Sequence, residues 1–92
     1  MLIQHKKDNI KGMFFVETDG NRLAEMVYTM GADNKMIIEH TEVNDDLRGK
    51  GIGNQLVHAA VNYARTHYIK IIPLCKFACA VFKKKPEYAD VL

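Results

Sequence analysis

A chain of 92 residues has room for one compact domain, and 48% hydrophobic against 26% charged residues excludes both a disordered chain and a membrane-spanning one. A net charge of +2, with its cations dispersed along the sequence, argues against a nucleic-acid partner, which is held through many clustered Lys and Arg contacts. The opening Met1-Leu2-Ile3-Gln4-His5-Lys6-Lys7 has no long apolar stretch and no run approaches the roughly 20 apolar residues of a membrane span, so a cytoplasmic protein without membrane contact is expected.

A short strand around Leu2 to Lys6 begins the chain. Gly12 to Thr18 is rich in aromatic and β-branched residues, and Asp19-Gly20-Asn21 supplies the positive-φ chemistry of a hairpin turn into a strand from Arg22 to Tyr28. Gly31-Ala32-Asp33-Asn34 marks a second turn, followed by a strand from Met36 to Val43. After Asn44-Asp45-Asp46 the period changes: Ile52, Leu56, Ala59, Ala60, Tyr63 and Ala64 recur at the steps of an amphipathic helix spanning Gly51 to His67. Ile69 to Ile72 reads as a strand ended by Pro73, paired in parallel with Met36–Val43 to make one right-handed crossover. Lys76 to Lys84 resembles a short helix stopped near Pro86, with Lys83-Lys84-Lys85 placed to compensate its dipole. The fold class predicted is α+β: one domain, residues 1–92, in which an antiparallel meander of four strands precedes a β-α-β parallel crossover and a short C-terminal helix.

Three of the six glycines fall within Arg48-Gly49-Lys50-Gly51-Ile52-Gly53, where a strand and an acidic turn give way to the long helix. Glycines there let the backbone curl so that successive N–H groups and the helix N-terminus converge on one point, which is how a phosphate is held without a large charge. The alternative is a flexible turn before an ordinary helix. The spacing lacks G-x-x-x-x-G-K-[ST], and Asn54 breaks G-x-G-x-x-G, so nucleoside triphosphates and dinucleotides are disfavoured.

Arg48, Gly51 and Gly53 do resemble the R/Q-x-x-G-x-G/A signature of the GNAT acetyltransferases. The neighbours His40-Thr41-Glu42-Val43, Pro73-Leu74-Cys75 and Lys85-Pro86-Glu87-Tyr88 extend the likeness over nearly the whole chain, to the very small GNAT-like proteins of the YjdJ type. The resemblance implies an acetyl-coenzyme A site running from Glu42 and Val43 across Arg48, Gly49, Lys50, Gly51, Ile52, Gly53 and Asn54, with the thiol end near Cys75. It implies transfer of acetyl to an unidentified amine acceptor; the alternative function is a non-catalytic acyl-CoA-binding module. The larger enzymes of that superfamily insert helices after their first strand to shape the acceptor site, and the gap between Lys6 and Gly12 holds none.

Acetyl transfer from a thioester needs a nucleophile, a base and a donor for the developing oxyanion. His40 suits a general base, or is a strand histidine fixed by a hydrogen bond. Cys75 precedes a short helix whose first N–H groups favour a thiolate, or it is a small core hydrophobe; with His40 it would make a nucleophile–base pair. Glu39 and Glu42 fall on opposite strand faces unless a bulge intervenes, so only one would be near the site. Tyr88 is a general acid or a packing anchor, Cys79 packs in the core, and His58 and His67 lie on a helix surface without a metal set. No metal is expected, both cysteines are read as free, and a monomer or weak dimer is anticipated.

Overall fold

The computed structural model describes residues 2–92. Five strands form one sheet in chain order: β1 (Gln4–Lys7), β2 (Lys11–Thr18), β3 (Asn21–Gly31), β4 (Lys35–Val43) and β5 (Lys70–Pro73). The first three pairings are antiparallel and the last, β4 with β5, is parallel. Asp19 and Gly20, at φ 51° and 79°, make the tight turn between β2 and β3, and Asp33 and Asn34, at 61° and 54°, turn β3 into β4. The predicted meander is therefore present, with β3 extending one residue before and three residues beyond the stretch its pattern indicated.

Helix α1 (Ile52–His67) crosses from β4 to β5, and α2 (Lys76–Lys84) follows β5. Their apolar faces pack on the same side of the sheet: Leu56, Val57, Ala60 and Val61 of α1, with Ala78, Val81 and Phe82 of α2, meet Phe14, Met26, Tyr28, Met36 and Ile38. Burying each Val, Leu, Ile, Phe or Met of this set contributes about 1.5–3 kcal/mol. Two 3₁₀ turns escaped the sequence reading, Asp45–Leu47 and Pro86–Val91. The first is capped by Asn44, whose side chain accepts from the Asp46 amide at 2.9 Å, and its apolar residue, Leu47, turns inward. The second carries Tyr88 and Val91 back onto the core.

Among the described residues no helix covers the opposite sheet face. Phe15 is nonetheless buried there, beneath the Arg22 guanidinium at 4.5 Å and the Lys6 ammonium at 5.4 Å from its ring centre. Arg22 is itself held by Glu17 at 3.0 Å and Glu25 at 3.3 Å. The aliphatic parts of charged side chains thus do on this face what helices do on the other.

Candidate functional site

Strands β4 and β5 run together only from Lys35↔Lys70 to Ile38↔Pro73. There they part: the Ile38 carbonyl accepts from both Leu74 N at 3.0 Å and Cys75 N at 3.3 Å, and the chain turns away into α2. From Glu39 onward the β5 side of β4 has no strand partner. A cavity of about 570 Å³ adjoins that free stretch, lined by Thr41 and Val43 of β4, Leu47 and Arg48 of the loop, the first turn of α1 and Phe77 of α2.

The loop geometry follows from its glycines. Gly49 and Gly51 sit at φ 80° and 76°, the left-handed region where a side chain is strained, and a Cβ on either would meet nothing within 4 Å. Gly51 is the N-cap of α1 and supplies no capping side chain; the first turn contains no acidic residue. The N-terminal amides of α1 and the positive end of its dipole therefore face the cavity without an internal counter-charge. Arg48 lies at the rim, paired with Asp45 at 3.0 Å across an exposed turn, so its guanidinium is within reach of an anion at little cost.

Of the residues expected to hold a coenzyme, Val43, Arg48, Gly49, Gly51, Ile52, Gly53 and Asn54 line this one cavity. Glu42 does not; it borders a smaller hollow with Arg22, Glu25 and Asn44. Lys50 is exposed beside the cavity's loop without lining it. Thr41, Leu47 and Phe77 line it and were missed. Leu47, the single apolar residue in an acidic turn, was the available signal for one of them; nothing local marks the other two.

A bulge in β4 decides where the candidate chemical groups lie. Val27 pairs with His40 but Tyr28 with Ile38, leaving Glu39 as the extra residue. Ile38 and Thr41 consequently share the helix-covered face. Glu39 accepts from Thr29 Oγ1 at 2.8 Å and His40 Nε2 lies 3.3 Å from Glu25 Oε2, both on the other face. Neither Glu39 nor Glu42 lines the cavity. His40 is half-exposed, and its partner is Glu25 rather than Cys75.

Cys75 does not itself line the cavity but lies next to Thr41, which does. It caps α2, its Sγ accepting from Ala78 N at 3.3 Å, and lies 3.5 Å from Thr41 Oγ1. Cys79 donates to the Pro73 carbonyl at 2.8 Å, which ties α2 to the end of β5. Both thiols are free. The Tyr88 hydroxyl is bonded to His58 Nδ1 at 2.7 Å and its ring packs edge-on against Phe82, away from the cavity. Among the described residues no group of His, Cys, Asp and Glu is arranged to hold a metal, and no helix is long and apolar enough to cross a membrane.

A five-stranded sheet whose last two strands part beside a glycine-started helix, with both helices on one face, defines an α+β fold. The chain belongs to the GCN5-related N-acetyl-transferases, whose family pattern matches residues 13–91. It is similar to a GCN5-like protein from Staphylococcus aureus solved by NMR: 36% identity, TM-score 0.73, covering 96% of this chain and 85% of that one. The fold also matches a ribosomal-protein-alanine N-acetyltransferase from Brucella melitensis biovar Abortus, at 17% identity and TM-score 0.68, over 84% of this chain and 62% of that one. A protein of Clostridium acetobutylicum solved with acetyl-CoA matches at 23% identity and TM-score 0.65, over 83% of this chain and 56% of that one. The chain thus spans little more than half the length of these larger neighbours. No curated protein matches it.

Proposed function

We propose that this chain binds acetyl-coenzyme A in the cavity beside β4 and transfers the acetyl group to an amine. The observation that carries the reading is the convergence of a free β4 edge, the Gly49–Gly53 loop and the uncapped start of α1 on a single cavity. Loop amides and the α1 dipole suit the pyrophosphate, and Arg48 adds a charge at the rim. The free backbone edge of β4 suits an extended, amide-bearing arm such as pantetheine, which would pair with it much as a strand does. The fold neighbour solved with acetyl-CoA supports the choice of ligand.

In this reading the thioester reaches the parting of the strands near Cys75. An amine nitrogen attacks the thioester carbonyl carbon; the carbon–sulfur bond breaks, the nitrogen gives up a proton, and the coenzyme leaves as its thiol. Where β4 and β5 part, the acetyl end can pass through the sheet to the open face, and there His40, oriented by Glu25, would act as the base. The Cys75 thiol, beside the Thr41 hydroxyl and the first amides of α2, stands on the leaving-group side. Because His40 is bonded to Glu25 and lies on the other face from Thr41, direct attack by the acceptor is favoured over a Cys75–His40 nucleophile–base pair.

Intact-mass measurement after brief exposure to acetyl-CoA separates the routes. Direct transfer predicts no acetyl adduct on the protein and retained turnover in Cys75→Ser. A single adduct lost in Cys75→Ser but kept in Cys79→Ser would establish an acetyl-cysteine instead. His40→Ala should slow either route by roughly a hundredfold if His40 is the base.

A binding module without turnover is the second reading, favoured by the absence of any helix over the face that carries His40. Incubation with acetyl-CoA and pools of polyamines, peptides and arylamines, following released thiol, decides between them. Acceptor-dependent release supports the enzyme; coenzyme binding with no release from any pool supports the module.

A further inference from the structure

The two helix glycines of the loop are glycine for different physical reasons. Gly51 needs its left-handed φ of 76°, and a Cβ there would project into open space. Gly53 is inside α1, is buried, and has no such backbone demand. A Cβ built on it would lie 2.4 Å from Cζ and 2.8 Å from Cε2 of Phe77, well inside any real carbon–carbon contact. The space over Gly53 is thus filled by the tip of an aromatic ring from the other helix.

Phe77 is 40% exposed, where the other three phenylalanines are buried, yet it lies against a buried backbone, and it is the residue of α2 that lines the cavity. It sits two positions after the α2 cap, Cys75, just as Gly53 sits two positions after the α1 cap, Gly51. One ring therefore joins the starts of both helices: the loop side of the cavity, with its amides, and the side that leads to Cys75. The partial exposure of the ring gives it room to swing outward, so an added methyl at Gly53 would displace the ring rather than break the helix pair.

Resting on the coenzyme reading above, we propose that Phe77, seated on Gly53, is a positioning residue that sets the width of the coenzyme cleft. Gly53 serves the ring and not the phosphate. The ring holds the start of α2 against the start of α1, fixing the distance between the loop amides and the Cys75 end that one extended ligand must span. Lost seating loosens the cleft and weakens the ligand through a poorly defined wall.

The test is a pair of double-mutant cycles read by calorimetric titration with coenzyme A and acetyl-CoA, with thermal melts confirming that each variant is folded. Gly53→Ala and Phe77→Ala should each weaken binding by roughly tenfold, and the double variant should be no weaker than either, because both remove the same seated ring. Gly51→Ala and Phe77→Ala should instead multiply their effects. Phe77→Tyr, which keeps the ring, should bind like the parent.

Multiplicative losses for the 53/77 pair, or unchanged affinity in Gly53→Ala, would overturn the proposal while leaving the coenzyme reading intact. Absence of binding by the parent protein would overturn both. If Gly53→Ala fails to fold, Phe77→Ala and Phe77→Tyr decide alone: unchanged affinity in Phe77→Ala overturns the role, and a loss restored by tyrosine supports it.

Discussion

Gly12 is a glycine for the sake of one side chain. A Cβ there would meet Cζ and the hydroxyl oxygen of Tyr28 at 2.3 Å, because that ring lies flat across β2 to reach His5. Gly12→Ala should therefore destabilise the fold by about 1–3 kcal/mol, the usual cost of overpacking, as a lower urea midpoint at unchanged slope. Gly51 has the reverse character, with free space but a constrained backbone. Gly51→Val should weaken coenzyme affinity by at least roughly tenfold, since a branched side chain strains the loop and stands in the way of a phosphate at the amides. Lys50→Ala, which removes one exposed charge that solvent screens, should cost much less. Calorimetry on the two variants checks the order, and a folded Gly51→Val that binds coenzyme A as the parent does would remove the loop from the site.

Strand β1 is an edge element of four residues, paired with β2 along its length and tied to the core through the His5 side chain. The imidazole stacks on Phe14 at 4.1 Å, meets Tyr63 of α1 edge-on at 4.7 Å, and shares a 2.7 Å hydrogen bond with the Tyr28 hydroxyl. Burial lowers the His5 pKa below its ordinary 6.5, and the nearby charges of Lys7 on its own strand and His67 on α1 act in the same direction. Tyr28, on the other side of the bond, is pushed up to about 12, by burial first and then by Tyr63, so its hydroxyl stays protonated.

The folded state therefore prefers neutral His5. That preference contributes fully above pH 6.5 and is lost as the pH falls from there through the lowered folded value. Melting temperatures of the parent should drop on acidification below pH 6.5, and His5→Gln, which keeps a hydrogen-bonding group without titrating, should be flatter over the same window. Parallel pH profiles for the two proteins would show that the β1 clasp is not the titrating element.

At the scale of the whole molecule, one sheet face is served by two helices and the other by snorkelling side chains. Stability is thus concentrated in the α1–sheet interface, where Leu56 is fully buried. Leu56→Ala should cost about 2–5 kcal/mol, a large part of the 5–15 kcal/mol typical of a domain, and leave the protein partly unfolded at ambient temperature or close to it. In the proposed site the coenzyme would join α1, β4 and α2, so ligand at a hundredfold excess over its Kd should restore about 2.7 kcal/mol. Melting of the Leu56→Ala variant with and without coenzyme A measures both effects, and an unshifted midpoint under saturating ligand would contradict the coupling of site to core.

The sequence by itself determined the strands, the two α-helices and the glycine loop between β4 and α1, because those are local. Period-two and period-3.6 patterns placed the meander, α1 and α2, the Asp19-Gly20 turn chemistry set the first hairpin, and the glycines between Arg48 and Asn54 marked where amides converge. The bulge at Glu39 was not legible, since it depends on how β3 and β4 match in register, and it alone decides that His40 and Glu39 share the open face while Thr41 turns toward Cys75. Tertiary structure likewise decided that Tyr88 anchors to His58 and that Phe77 closes over Gly53. Such contacts join residues tens of positions apart, and what brings them together is the packing of α1 and α2 on one sheet face, which no pattern in either segment alone records.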